Sequence, residues 1–193
     1  MLFRSNLAFS VGTALAEIGD ISRVYSVSIN TNATFTLNAT NETANLVLFD
    51  GGISVINPTP TTTRTHVLNT PVTFSAPRQT ISVDTNITLV LTNRLTGGDP
   101  RWIVLKDAPG TLRLYGSNDF ASVLLVSNGS LRVHHNQALG STNRPVYVFG
   151  GPDSKSPTAF RFEKSVTNDV TLILSRFIGD ITDRKSTRLN SSH

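Results

Sequence analysis

His134 and His135 are the first side chains in this sequence that suggest chemistry, because paired imidazoles hold divalent metals. In an extended segment neighbouring side chains point to opposite faces, so these two cannot share one ion. No third ligand follows at metal spacing, and the pair reads as a strand end running into a turn. Asp99, Asp107 and Asp119 suggest the carboxylates that cleave glycosidic bonds. Their spacings of 8 and 12 residues do not match a coil of roughly 20 residues, so they should not stack and read as solvated turn residues. Gly97-Gly98 and Gly150-Gly151 lack the Lys-Thr pair and the helix that a phosphate loop needs, and read as turn glycines. Trp102 beside Arg101, with Tyr115 and Tyr147, is an aromatic group on which a sugar ring can stack. Trp102 and Tyr115 are the candidate ligand-binding residues; the competing reading of Trp102 is a packed loop residue. Asn-x-Ser/Thr triplets start at Asn32, Asn38, Asn41, Asn86 and Asn128, as chance supplies in so Thr- and Asn-rich a chain. No catalytic residue, metal or cofactor is expected, and the chain is not read as an enzyme.

The elements that must position these residues are strands. The 193 residues suffice for one sizeable core and are short for two domains. With 38% apolar and 16% charged residues the chain is not of the disordered class. No apolar run reaches the roughly 18–20 residues of a membrane-spanning helix. From about Tyr25 onward, short runs alternate apolar and polar residues, as in Ala33–Leu37, Thr80–Val83, Thr111–Leu114, Ser130–Val133 and Val146–Phe149. That period buries one face and wets the other, and Gly, Asn, Asp or Pro separates the runs. Only Leu7 to Ile18 suggests a helix, weakened by Gly12 and its β-branched neighbours. Pro58, Pro60 and the run Thr59 to Thr65 read as an exposed excursion, as does Gly151 to Pro157. Thr85–Thr92 recurs as Thr167–Ser175 with an Ile87/Val170 register of 83 residues, which suggests about four coils of roughly 20 residues.

Both ends resemble translated sequencing adapter. Asp183–His193 (DRKSTRLNSSH) is similar to its in-frame translation, and Leu2-Phe3-Arg4-Ser5 to the reverse complement of its first part. Residues 1–5 and 183–193 are therefore excluded from the fold reading, and residues 6–182 are read as an internal piece of a longer protein. Removing Arg4, Arg184, Lys185 and Arg188 from the 17 basic residues, and Asp183 from the 13 acidic ones, lowers the formal charge from +4 to +1. Nucleic acid or an anionic membrane as partner then loses its only support.

The stretch 80–151 resembles the autotransporter-associated β-strand repeat of bacterial passenger domains. The ordered motifs are Thr88–Asn93, then Lys106–Phe120 with Gly110-Thr111-Leu112-Arg113-Leu114. Val126–Val133, Asn136–Ser141 and Pro145–Gly151 complete the order. Arg113 and Arg132 stand where the family carries small polar residues, and the paired glycines after Phe120 are missing. The resemblance implies an all-β fold, a right-handed parallel β-helix (solenoid); alternation alone leaves a β-sandwich as the rival. Leu89, Leu91, Leu112, Leu114, Leu124, Val126, Leu131, Val133, Val146 and Val148 would face inward. Thr88, Thr111, Arg113, Ser130, Arg132 and Tyr147 would face outward. Gly110, Gly116, Gly129 and Gly140 would take left-handed corners, and Asn118 and Asn128 could form side-chain ladders.

The function implied is a non-enzymatic stalk or scaffold of a secreted or surface-displayed passenger. Its partner would be the remainder of its own parent chain, including a C-terminal β-barrel at the bacterial outer membrane. This segment itself would not insert into a membrane. Absence of cysteine fits passage through an outer-membrane pore. An adhesin or glycan-binding surface is the alternative, with surface glycans as partners. A β-helical polysaccharide-degrading enzyme is the third reading, and it requires carboxylates on adjacent coils.

Overall fold

A computed structural model describes residues 6–9, 15–19, 21–30, 34–40, 44–141, 144–149, 158–163, 172–175 and 181–183. The adapter-like residues 1–5 and 184–193 lie outside the described residues, as do Gly150-Gly151 and the rest of the excursion to Pro157. The chain is all-β, with no helix among the described residues. The first strands are β1 (Asn6–Phe9), β2 (Leu15–Ile18), β3 (Ile21–Ile29), β4 (Thr36–Ala39), β5 (Asn45–Val55) and β6 (Arg64–Asn69). The central ones are β7 (Val72–Phe74), β8 (Arg78–Val83), β9 (Ile87–Leu91), β10 (Leu95–Gly97), β11 (Ile103–Asp107) and β12 (Thr111–Leu114). The last are β13 (Val123–Val126), β14 (Ser130–Val133), β15 (Val146–Phe149), β16 (Ala159–Phe162), β17 (Leu172–Ser175) and β18 (Ile181–Asp183).

Successive strands alternate between two sheets, in the orders β1-β3-β5-β8-β11-β13-β15-β17 and β2-β4-β6-β9-β12-β14-β16-β18. Every described pairing is parallel. A β-sandwich is built on antiparallel pairs, so the chain is a parallel β-helix instead. A third row of short strands rounds the central coils. The first half of β5 pairs with β7 and its second half with β8. β10 lies on β7. Backbone bonds from Asp119 N to Leu95 O at 3.0 Å and from Ala121 N to Gly97 O at 2.9 Å carry the row one coil further.

All ten aliphatic residues expected inward are buried at 2% exposure or less. The register stacks them into columns. His66, Leu89, Leu112, Leu131 and Phe160 form one; Leu68, Leu91, Leu114, Val133 and Phe162 form the next. The residues expected outward are all partly exposed. Leu112 touches the column on both sides, through Leu89 and Leu131. Leu112→Ala should therefore cost about 3 kcal/mol in denaturant unfolding, because neighbouring coils cannot collapse into the gap. Thr111→Ala, on the wet face, should change stability by less than about 1 kcal/mol.

Four expectations need correcting. The stretch Leu7 to Ile18 is not helical where it is described: β1 and β2 lie in it, held by pairing to β3 and β4. The excursion ends earlier than Thr65, because Arg64 and Thr65 already belong to β6; residues 58–63 are exposed. The 83-residue self-similarity does not mark equivalent positions, since β9 and β17 lie in different sheets. Coil length varies from 19 residues (Thr111 to Ser130) to 31 (Thr36 to Val67), so no single period holds. Finally, only Gly129 and Gly140 of the four expected corner glycines have positive φ, 70° and 81°. Gly110 and Gly116 are needed for close approach: a Cβ would lie 2.2 Å from Asp84 O or Asn93 O respectively.

Candidate functional site

Polar side chains gather where the second sheet turns into the third row. Thr92, Asn93, Arg94, Ser117, Asp119 and Gln137, from three successive coils, line an open groove of about 530 Å³. The guanidinium of Arg94 donates two bonds to the Asp119 carboxylate, one from Nε at 3.2 Å. Ser117 Oγ donates to Gln137 Oε1. The ion pair is more than half exposed on one side and half on the other, so water screens it and it adds little stability. Beneath the groove, buried Asn118 joins three coils. Its Oδ1 accepts from Leu95 N at 2.8 Å and its Nδ2 donates to Ala138 O at 2.6 Å. Asn118 thus bridges coils as expected, although through backbone partners. Asn128 does not form a ladder: its Oδ1 is buried without a hydrogen-bond partner.

A surface column runs beside this groove along the edge of the second sheet. Asn69 Nδ2 donates to Asn38 Oδ1 at 3.3 Å, and Thr92 Oγ1 to Asn69 Oδ1 at 2.8 Å. In the next two coils the column becomes aromatic: the Tyr115 and His134 rings stack with centroids 3.9 Å apart and planes 7° from parallel. Tyr115 is 39% exposed, so part of the pair faces solvent. Trp102 lies elsewhere in the coil, just before β11 on the first sheet. Its amide donates to Asp99 O, and its carbonyl accepts from Val123 N, both at 2.9 Å. Tyr147 stacks near Phe149 on β15. The four aromatic rings of Trp102, Tyr115, His134 and Tyr147 therefore do not form one surface. His135 turns away from His134, its Nδ1 accepting from Gln137 N at 3.1 Å.

The three aspartates stand at three different corners. Asp99 precedes β11 and binds Arg101, whose side-chain hydrogen bond holds the carboxyl below its ordinary range. Asp107 ends β11 and accepts from Ser127 Oγ at 3.1 Å. Asp119 follows β12 and takes Arg94. Each already has its own partner, and they do not form the adjacent-coil cluster that sugar cleavage requires.

Two buried ionisable groups escaped the sequence reading. Lys106 occupies the inward column of the first sheet between Ile81 and Val126 and is fully buried. Its Nζ donates to three backbone carbonyls: Asp107 O at 2.9 Å, Ala108 O at 2.7 Å and Asn128 O at 3.0 Å. Burial pushes its pKa down to about 8, opposed in part by the nearby Asp107 charge. His66 lies in the column against Leu89, and its Nδ1 accepts from Phe35 N at 3.2 Å. Burial, aided by the positive charge of Arg64, lowers its pKa; with Nδ1 accepting the Phe35 amide, the ring proton sits on Nε2. The signal for Lys106 was present in the alternation: Val104 and Lys106 share one parity in β11, and Val104 is buried.

Compared with protein-family models, curated proteins and solved structures, the chain has no match in any of the three.

Proposed function

We propose that this chain is a non-enzymatic structural segment, a stalk or scaffold, of a secreted or surface-displayed bacterial autotransporter-type passenger. The observation that carries the reading is the set of inward columns running from coil to coil through the described residues. Each coil adds the same kind of contact to its neighbours, so length accumulates coil by coil. That is the mechanical property of a rod that holds another part of its chain at a distance. The order of motifs across 80–151 supplies the passenger part of the reading, with a parent chain that ends in an outer-membrane β-barrel. No helix among the described residues is long and apolar enough to cross a membrane.

The test is recovery of the parent reading frame from longer sequencing reads. A secretion signal upstream and a barrel-forming stretch downstream are expected. A frame that closes without a barrel removes the passenger assignment. A frame in which the coils are interrupted by a catalytic domain on the same strands removes the stalk.

A further inference from the structure

The outer face of the second sheet carries three arginines in one column. Arg113, Arg132 and Arg161 lie directly opposite one another on β12, β14 and β16. Val90 precedes them in the column. Parallel neighbours are about 4.8 Å apart, so the three positions span about 10 Å along the solenoid axis. Like charges placed directly opposite across strands destabilise a sheet. Glu163 pairs with Arg132, 3.4 Å from its Nη1. Arg113 has no ion pair among the described residues, and its Nε is buried without a hydrogen-bond partner.

The flanking columns narrow the chemistry of what this face would take. Two residues toward the start of the strands, Thr111 and Ser130 pair and present hydroxyls. Two residues toward their ends lies the stacked Tyr115–His134 pair. Hydroxyls, guanidinium groups and aromatic rings thus run side by side across β12 and β14, while on β16 Ala159 and Glu163 flank Arg161. Guanidinium forks bind carboxylate or sulfate in bidentate fashion. Hydroxyls match sugar hydroxyls, and aromatic rings border sugar faces. We propose that this face binds an anionic polysaccharide, lying along the solenoid axis with its carboxylates or sulfates on the arginine column. The proposal goes beyond the stalk reading and does not rest on it.

The test is affinity electrophoresis of the full chain through gels containing polygalacturonate, heparin or neutral dextran, with a short DNA duplex in a parallel titration. Retention by polygalacturonate or heparin is expected, and which of the two retains more identifies the acidic group. Retention should fall as salt rises. The combined Arg113→Gln, Arg132→Gln and Arg161→Gln variant should lose at least about tenfold in affinity, equivalent to about 1.4 kcal/mol. Its thermal midpoint should stay close to that of the parent, because relieved repulsion offsets the lost Arg132–Glu163 pair. Should that variant fail to fold, Arg113→Gln alone decides, since Arg113 has no ion pair to lose. Arg78→Gln, on the exposed part of the first sheet, should leave retention unchanged. Three results overturn the proposal: no retention by either polyanion, an equal loss in Arg78→Gln, or DNA binding of equal strength with the same arginine dependence.

Discussion

Gly129→Ala is expected to destabilise the chain by at least about 4 kcal/mol, enough to unfold the coils around it at room temperature. Two costs coincide. Gly129 has φ of 70°, a left-handed conformation that costs an L-residue about 1–2 kcal/mol. The added Cβ would also lie 2.4 Å from Gly110 O and 2.5 Å from Ala108 O. Both atoms are backbone of the coil below and cannot rotate away as a side chain would. Ser130 N donates to that same Gly110 carbonyl at 3.1 Å, so moving the carbonyl also breaks the ladder between β12 and β14. The effect should therefore reach beyond one turn. Denaturant unfolding followed by circular dichroism checks it. Ser130→Ala, next in the chain and on the wet face, is the control and should stay within about 0.5 kcal/mol of the parent. A Gly129→Ala midpoint equal to that of the control would show that the corner is looser than its contacts indicate.

The same corner explains what was legible in the residues and what was not. Leu112, Leu131 and Val133 announce their inward positions because a strand has a period of two whatever its partners are. Alternation does not say which strands pair, so the parallel coil rested on the order of turn motifs in 80–151. The stacking of Arg113 on Arg132 and Arg161 needs the true coil lengths, 19 residues for the first step and 29 for the second. The second step passes through the two-proline segment, and a fixed period of about 20 cannot find it. The third row was hidden for another reason. β7 and β10 are three residues each, too short for a period to show, and they are held by neighbouring backbone. The groove of Arg94, Asp119 and Gln137 depends on three turns falling at one corner, which only the register reveals. Asn118 stood out because Asn belongs at bends, and its two backbone bonds are the physical reason it is there.

Lys106→Met is expected to cost about 4 kcal/mol near neutral pH, although it removes a buried charge. Methionine fits the column between Ile81 and Val126 and ends the burial penalty of the ammonium. It leaves Asp107 O, Ala108 O and Asn128 O without their shared donor, and each orphaned acceptor costs about 1–3 kcal/mol. Ala108 also keeps its φ of 65°, a strained angle that the Nζ bond to its carbonyl helps to hold. The orphaned acceptors and this strain outweigh the relief of desolvation. The parent should carry a pH signature that the variant lacks. Burial lowers the folded-state pKa from 10.5 to about 8, so below about pH 8 both states are protonated and the penalty is present in full. Between about 8 and 10.5 the unfolded chain binds more protons than the folded one, so stability rises with pH by up to about 3 kcal/mol. The neutral amine still donates two hydrogen bonds to the three carbonyls, which keeps the turn closed as the charge leaves. Denaturant midpoints of parent and Lys106→Met should therefore move apart as pH climbs from 7 to 10. A gap of constant size across that range would mean that the ammonium is solvated and that the column does not close over it.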